Sequence, residues 1–281
     1  MKLCKTHHFG DVTGYELGYG YVGKPFMTTI FYSVGNILVD TGLSHMRKEA
    51  LELVRSKSID CVLLTHHHED HSGNVAAIMK EKQISAYGHP KTIEKMRDGF
   101  NILMYQHLIW GKAERANILP LPPVIETGEV SLIPIHAPGH SKDHTIFFEK
   151  NRGWLFCGDL YLGSKIKYFR ADENLADTLN SLREVLKLDF DSLFCAHNPR
   201  EHNGHSALQM KLEYLGNFCG EIARLLKSGL SEKEVIKKMS HNEVRFVKML
   251  TFGNVSFEQM VRKAIQCVRS DFSASLRVER K

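Results

Sequence analysis

No stretch of this chain is apolar for long enough to cross a membrane. The most apolar runs, such as Cys61–Leu64 and Leu132–Ile135, fall far short of the roughly 20 residues that a membrane-spanning helix needs. Residues 1–8 also lack the apolar stretch of a secretory signal and the Arg and Ser bias of a transit peptide. We therefore expect a cytoplasmic protein that makes no use of a membrane.

Closely spaced cysteines are also lacking. The six cysteines are scattered over 281 residues, so the sequence indicates neither a disulfide framework nor a cysteine zinc knuckle. Blocks of consecutive basic residues are absent too, although the net charge is +5. The surplus falls after residue 205, where 14 Lys and Arg face 8 Asp and Glu. A solvated helical surface is the favoured interpretation, and binding of a nucleic acid is the alternative.

Hydrophobic residues make up 43% of the chain and charged residues 25%, which excludes a disordered chain and allows a full-sized core. Apolar runs at Met27–Val34 and Ile37–Val39 flank Gly35-Asn36 and predict a hairpin, and Ile59–Leu64 predicts a buried strand. Strand and helix patterns then alternate, as in α/β proteins.

After about residue 205 the strand patterns stop. Helical patterns follow at Ala207–Lys227, Glu232–Met239 and Phe257–Arg269. We therefore predict a catalytic domain over residues 1–204 and a helical region over residues 205–281.

Histidine is the residue type that stands out, with 16 copies. The segment from Thr65 to Gly73 reads THHHEDHSG and follows the predicted strand directly. On extended backbone His66 and His68 would lie on the same side, and the chain then turns so that Asp70 and His71 can face a second ion.

Three further ligand-type residues follow predicted strands. They are His140, Asp159 and His197. Because loops at strand ends are where α/β proteins build their sites, we expect all three to contribute to one metal centre.

This order of residues resembles the metallo-β-lactamase-fold hydrolase superfamily, whose pattern is HxHxDH, a lone His, a bridging Asp and a last His. The resemblance covers residues 37 to about 200. It implies a four-layered αβ/βα sandwich with a dinuclear site at one edge. One ion would take His66, His68 and His140, the other Asp70, His71 and His197, and Asp159 would bridge them. Two divalent ions are implied, with zinc expected and iron or manganese also compatible.

Charge counting supports hydrolysis. Two divalent cations, two carboxylates and a bridging hydroxide leave a formal charge of about +1, which favours an oxyanion in the transition state. Asp70 and Asp159 are therefore the candidate catalytic carboxylates. Asp40 is expected to orient a ligand imidazole, as its counterpart in the superfamily does, an ordinary turn residue being the alternative. His144 is expected to support the site or contact substrate, or else to be structural.

Differences between this sequence and particular branches of the superfamily narrow the range of expected substrates. The commonest zinc β-lactamases have Cys at the position of Asp159, and flavodiiron proteins replace the second His of the motif, here His68, by Glu. Glyoxalase II enzymes share THHHxDH but continue after the bridging Asp with a GCGR-type segment, where this chain has Leu160–Lys165. Lactonases place a catalytic Tyr three residues after that Asp, where this chain has Leu162.

We therefore predict hydrolysis of an ester, thioester or lactone, with a small molecule as substrate. The apolar segment Asp98–Lys112 is expected to form a lid, with Phe100, Tyr105, Trp110 and also Tyr161 as candidate substrate contacts. The alternative is a phosphodiesterase acting on single-stranded RNA, because β-lactamase-like endoribonucleases share a segment like Gly139–His144 and the C-terminal region is basic. The oligomeric state is left open, a homodimer included.

Overall fold

The computed structural model describes residues 1–278, and the chain forms two compact units. The first unit consists of Met1–Pro138, Lys142–Leu162 and Asp189–His205. The second unit contains the chain from Ser206 onward together with Gly139–Ser141 and Gly163–Leu188. The helical region therefore includes segments from before residue 205.

Two sheets form the framework of the first unit. The first sheet runs in chain order through β1 (Lys2–Phe9), β2 (Val12–Tyr19), β3 (Thr28–Val34), β4 (Ile37–Val39), β5 (Cys61–Leu63), β6 (Ser85–Gly88) and β7 (Leu119–Pro120). Neighbouring strands are antiparallel from β1 to β4 and parallel from β4 to β7. The second sheet contains β8 (Ile125–Thr127), β9 (Val130–His136), β10 (Thr145–Glu149), β11 (Trp154–Gly158) and β13 (Ser192–Cys195), in the order β13-β11-β10-β9-β8.

The two sheets pack face to face across an apolar layer. Side chains from both sheets meet there, among them Tyr32, Leu63, Phe147, Phe156 and Phe194. The opposite face of the first sheet is covered by helices α1 (Arg47–Arg55), α3 (Val75–Lys82) and α4 (Pro90–Asp98), through a second buried cluster. Both faces of the central strands β4 and β5 are thus buried, as their continuous apolar sequences require.

Short helices complete the first unit. They are α2 (Glu69–Ser72), which follows β5, and α5 (Met104–Ile109). Because β4 and β5 are parallel, their carboxyl ends open at the same edge of the sheet, and Asp40 and the histidine-rich segment follow directly. Strands β11 and β13 are also parallel, with Gly158 opposite Cys195. Asp159 and His197 therefore leave the second sheet side by side.

The second unit is mainly helical. Its elements are β12 (Phe169–Arg170), α6 (Leu175–Val185), α7 (Gly204–Lys227), α8 (Glu232–Met239), α9 (Arg245–Leu250), β14 (Val255–Ser256) and α10 (Phe257–Val278). Strand β14 pairs antiparallel with β12, so the expectation that strands stop near residue 205 is wrong for this short segment. Among the residues described, no helix is both long and apolar enough to span a bilayer.

Candidate metal centre

Asp40 anchors the site at the end of β4. Its backbone has φ of 63°, a left-handed conformation that Asp tolerates better than most residues. Its carboxylate accepts hydrogen bonds from the Thr65 amide at 2.8 Å and the Thr65 hydroxyl at 2.8 Å, and it lies 2.7 Å from His71 Nδ1. His71 therefore donates from Nδ1 and directs Nε2 inward, the arrangement that orients a metal-binding imidazole.

The turn from Thr65 to Ser72 brings His66 and His68 together. Nε2 of His66 lies 2.9 Å from Nδ1 of His68, so two ring nitrogens converge on one point. Nδ1 of His66 lies 3.0 Å from the Thr65 hydroxyl. The imidazoles of His66 and His68 therefore lie on the same side, as expected, although β5 has already ended at Leu63.

Four further ligand-type side chains form a group within the first unit. One ligand atom of each of Asp70, His71, Asp159 and His197 lies within 4.8 Å of the other three. Asp159 Oδ1 is 3.3 Å from His71 Nε2 and 3.4 Å from His197 Nε2, and Asp70 Oδ2 is 3.6 Å from each of the same two nitrogens. Two carboxylates and two imidazoles thus surround one small space.

The electrostatics of this group suit a cation. Burial lowers the pKa of His197, but the carboxylates of Asp159 and Asp70 outweigh it and raise that pKa to about 9. The pKa of His71 is raised well above its ordinary value, because Asp70, Asp40 and Asp159 outweigh the opposing effect of burial. Nε2 of His71 is buried and makes no hydrogen bond with the described residues. A divalent ion would supply the positive charge that two buried carboxylates favour.

Two other histidines are fixed by acceptors that the sequence does not reveal. His197 Nδ1 lies 2.7 Å from the backbone carbonyl of Thr28. In the second unit, His140 Nδ1 lies 2.7 Å from the buried carboxylate of Glu173, at Oε1. Each contact leaves Nε2 as the nitrogen available to an ion.

His144 supports Asp159 through the backbone. Its Nδ1 lies 3.1 Å from the Ala137 carbonyl, and its Nε2 accepts a hydrogen bond from the Asp159 amide at 3.1 Å. Gly158 has φ of +47°, and a Cβ there would lie 2.8 Å from His144 Nε2. The glycine before Asp159 therefore allows His144 to approach the Asp159 backbone this closely.

His67 and Glu69, which alternate with the candidate ligands, form hydrogen bonds with other residues. His67 Nδ1 and its backbone amide each lie 2.9 Å from Asp143 Oδ2, which also accepts from Thr92 Oγ1 at 2.8 Å. Glu69 is buried and accepts from Gln106 Nε2 at 2.6 Å. Asp143 and Gln106 were not identified from the sequence, since nothing local marks them as partners of this turn.

The candidate lid residues lie deeper than the sequence suggests. Tyr161 is fully buried, and Tyr105 and Trp110 are each 6% exposed. Phe100 and Trp110 pack against the core cluster that lines α1 and α3, and the Trp110 ring centroid is 6.4 Å from that of His197. The exposed apolar side chains of Asp98–Lys112 are instead Leu103, Met104 and Leu108, which were not among the candidate substrate contacts.

The fold and the clustered His and Asp side chains define a protein of the metallo-beta-lactamase type, and comparison with known proteins agrees. A model of the metallo-beta-lactamase superfamily matches residues 28–197. A metallo-beta-lactamase family protein from Thermus thermophilus has a TM-score of 0.66 at 18% identity, over 93% of this chain and 94% of that one. This chain belongs to the metallo-beta-lactamase superfamily and has its fold, with a helical C-terminal region.

Curated relatives are similar over part of their length. A hydroxyacylglutathione hydrolase from Aeromonas salmonicida is 33% identical over 195 residues, which is 68% of this chain and 67% of that protein. Another from Idiomarina loihiensis is 31% identical over 185 residues, covering 63% and 62%. A beta-lactamase-like protein 2 homolog from Drosophila melanogaster is 28% identical over 177 residues, covering 57% and 54%. The chain thus spans about three fifths of the length of these relatives.

Proposed function

We propose that this chain is a metal-dependent hydrolase with two ions, acting on an ester, thioester or lactone, with thioesters as the leading class. The observation that carries the proposal is the group of Asp70, His71, Asp159 and His197, whose ligand atoms lie within 4.8 Å of one another. Relatives named hydroxyacylglutathione hydrolase support the thioester class.

The ligand assignment is part of this proposal. We assign His66, His68 and His140 to one ion, Asp70, His71 and His197 to the other, and Asp159 to both. Imidazole and carboxylate donors suit zinc, iron and manganese, and zinc is the ion we expect. The thiol of Cys195 accepts a hydrogen bond from the Asn198 amide at 3.0 Å, so it takes part in the backbone turn before Asn198.

Hydrogen bonds within the protein orient the proposed ligands. When bound, divalent ions lower the pKa of a coordinated water and stabilise negative charge on a substrate oxygen. Asp40 and the Thr28 carbonyl hold the Nδ1 protons of His71 and His197, so that Nε2 of each faces Asp159. The Asp159 amide donates a hydrogen bond to His144 Nε2, which holds the backbone that carries the carboxylate assigned to both sets.

Two chain segments that reach this group also carry exposed apolar side chains, which favours an acyl substrate. Helix α5 exposes Met104 and Leu108, Leu103 is exposed just before it, and Trp110 just after it lies beside His197. The loop before β3 exposes Tyr21 and Val22 and leads to Thr28, whose carbonyl binds His197. Apolar surface at a catalytic site is suited to acyl groups and poorly suited to polyanions.

Hydrolysis of single-stranded RNA is the alternative function. The basic C-terminal helices are partly neutralised, since Arg262 and Lys248 bond to Glu258 at 2.6 and 2.7 Å, and Arg269 pairs with Glu232. This reduces the charge available to phosphates and favours the acyl proposal.

A substrate panel separates these functions. Metal-loaded protein should be assayed on hydroxyacylglutathione, short and long acyl thioesters, lactones, bis-p-nitrophenyl phosphate and single-stranded RNA, with Asp159→Ala as the control for contaminating hydrolases. The proposal expects the highest kcat/KM on a thioester, ester or lactone, with loss of that activity in Asp159→Ala. Turnover confined to the phosphodiesters would overturn it.

A further inference from the structure

A buried hydrogen bond connects the histidine-rich turn to α5. Glu69 stands between His68 and Asp70 in the chain, and its side chain is 1% exposed. Its Oε1 accepts a hydrogen bond from Gln106 Nε2 at 2.6 Å, and Gln106 is 4% exposed. A short bond from an amide to a buried carboxylate is among the stronger hydrogen bonds in proteins, so the two elements are firmly joined.

Gln106 also organises its own helix. Its Oε1 accepts from the Leu103 amide at 2.7 Å, which satisfies an N–H at the start of α5 that has no partner within the helix. The amide group of Gln106 therefore holds the start of α5 through its oxygen and binds Glu69 through its nitrogen.

The far end of α5 is held separately. His45 Nε2 lies 2.7 Å from the His107 carbonyl, and the Ser44 hydroxyl donates to the Trp110 carbonyl at 3.3 Å. A helix of six residues has little stability of its own. Its position therefore depends on apolar packing through Tyr105 and Ile109 together with these hydrogen bonds, and the buried bond to Glu69 leads directly to the turn that carries the proposed ligands.

We propose that Glu69 and Gln106 are positioning residues that transmit the geometry of the metal-binding turn to α5, and thereby set selectivity for the acyl group. The selectivity part rests on the proposed acyl hydrolysis. It concerns the exposed apolar side chains of Met104 and Leu108 in α5 and of Leu103 just before it. The positioning part is independent of substrate. In a turn held by bound metal, the Glu69 carboxylate is fixed, and α5 is fixed with it.

Hydrogen exchange of peptides covering α5 tests the positioning part directly. The variant Gln106→Glu keeps the size of the side chain but faces the Glu69 carboxylate with a second one, while Gln106→Leu removes the hydrogen bonds altogether. We expect either change to speed exchange in α5 by about tenfold or more, equal to about 1.4 kcal/mol of local opening, while α3 peptides stay unchanged. Wild-type exchange should also rise on metal chelation, and that of Gln106→Leu should change much less.

Swapping the two side chains tests whether the hydrogen bond itself protects α5 from hydrogen exchange. In the double variant Glu69→Gln/Gln106→Glu, the new carboxylate can accept from both the Leu103 amide and the new amide at position 69. Slow exchange should return in this double variant. Gln209→Leu is the matched control, because Gln209 donates to Glu213 at 2.9 Å on the exposed face of α7, and it should leave α5 exchange unchanged.

The kinetic comparison tests selectivity. Within whichever class of acyl substrate the protein hydrolyses, compounds with long and short acyl groups should be compared. Gln106→Leu should raise KM for the long acyl groups several-fold more than for the short ones, with kcat little changed. If α5 exchange is unaffected by both single variants, or if the swapped pair is as loose as Gln106→Glu, the positioning proposal is wrong. If α5 loosens but long and short acyl groups are affected equally, the selectivity part fails. If the protein hydrolyses no acyl compound, only the proposed function is wrong. The hydrogen-exchange result still decides whether Glu69 and Gln106 position α5.

Discussion

The substitution Asp40→Asn tests how the protein holds one of its proposed metal ligands. Asp40 accepts from the Thr65 amide and hydroxyl, and its Oδ2 lies 2.7 Å from His71 Nδ1. Asparagine has the same shape and also tolerates the left-handed backbone at this position. Its amide nitrogen can only donate, so one of the donors that face Asp40 loses its acceptor. The change therefore isolates hydrogen bonding from backbone strain.

The expected loss of metal affinity follows from the one hydrogen bond that Asp40→Asn removes. A hydrogen bond to a charged group contributes about 1.5–3 kcal/mol, which is about a 10- to 100-fold change in a binding constant, as found for supports of metal-binding histidines. We expect zinc affinity, measured by competition with a chromophoric chelator, to fall by about this factor. Asp189→Asn is the matched control at an exposed position and should leave affinity unchanged. Affinity of Asp40→Asn within about twofold of wild type would refute the assigned role of Asp40.

Further predictions concern the carboxylate shared by both ligand sets, the metal-free state and the substrate. Asp159→Ala should lower kcat/KM by more than about 100-fold, the upper cost of losing a mere support, while circular dichroism stays native; near wild-type turnover would contradict the dinuclear assignment. His197 has a folded-state pKa raised from 6.5 to about 9, so its contribution to stability is full below about pH 6.5 and is lost as the pH rises through about 9. Metal-free protein should accordingly show a falling Tm between these values, and a flat profile would argue against the charged cluster. Replacing Leu103, Met104 and Leu108 by Ala should weaken long-chain acyl hydrolysis with little effect of salt, whereas a ribonuclease would respond to charge reversal at Lys237, Lys238, Arg262 and Lys263 with a steep salt dependence.

The proposed ligands could be identified from the sequence because each follows a strand. His66, Asp159 and His197 come just after apolar runs that form β5, β11 and β13, and strand ends gather at one edge of a sheet. The hairpin at Gly35-Asn36 was likewise predicted and is confirmed by the pairing of β3 with β4. Residue type together with short-range periodicity was sufficient for these features.

Features that depend on distant contacts were missed. Strand β1 reads KLCKTHHF and lies at the edge of the first sheet, where both faces are largely solvated, so it lacks the apolar alternation that marks a strand. Glu173 lies 33 residues from His140, and Gln106 lies 37 residues from Glu69. Polar side chains of this kind resemble surface residues until the fold brings a partner to them. Trp110, in the apolar segment Asp98–Lys112, and Tyr161, one position short of the lactonase Tyr, were both expected to contact substrate. The structure buries both side chains.

Metal stoichiometry tests the central claim most directly. Protein purified without chelator and analysed by elemental mass spectrometry should contain two equivalents of divalent metal per chain, because the seven proposed ligands divide into two sets that share Asp159. Asp159→Ala should reduce this value, and Asp189→Asn should not. A reproducible value of one equivalent, unchanged by added zinc, iron or manganese, would contradict the account.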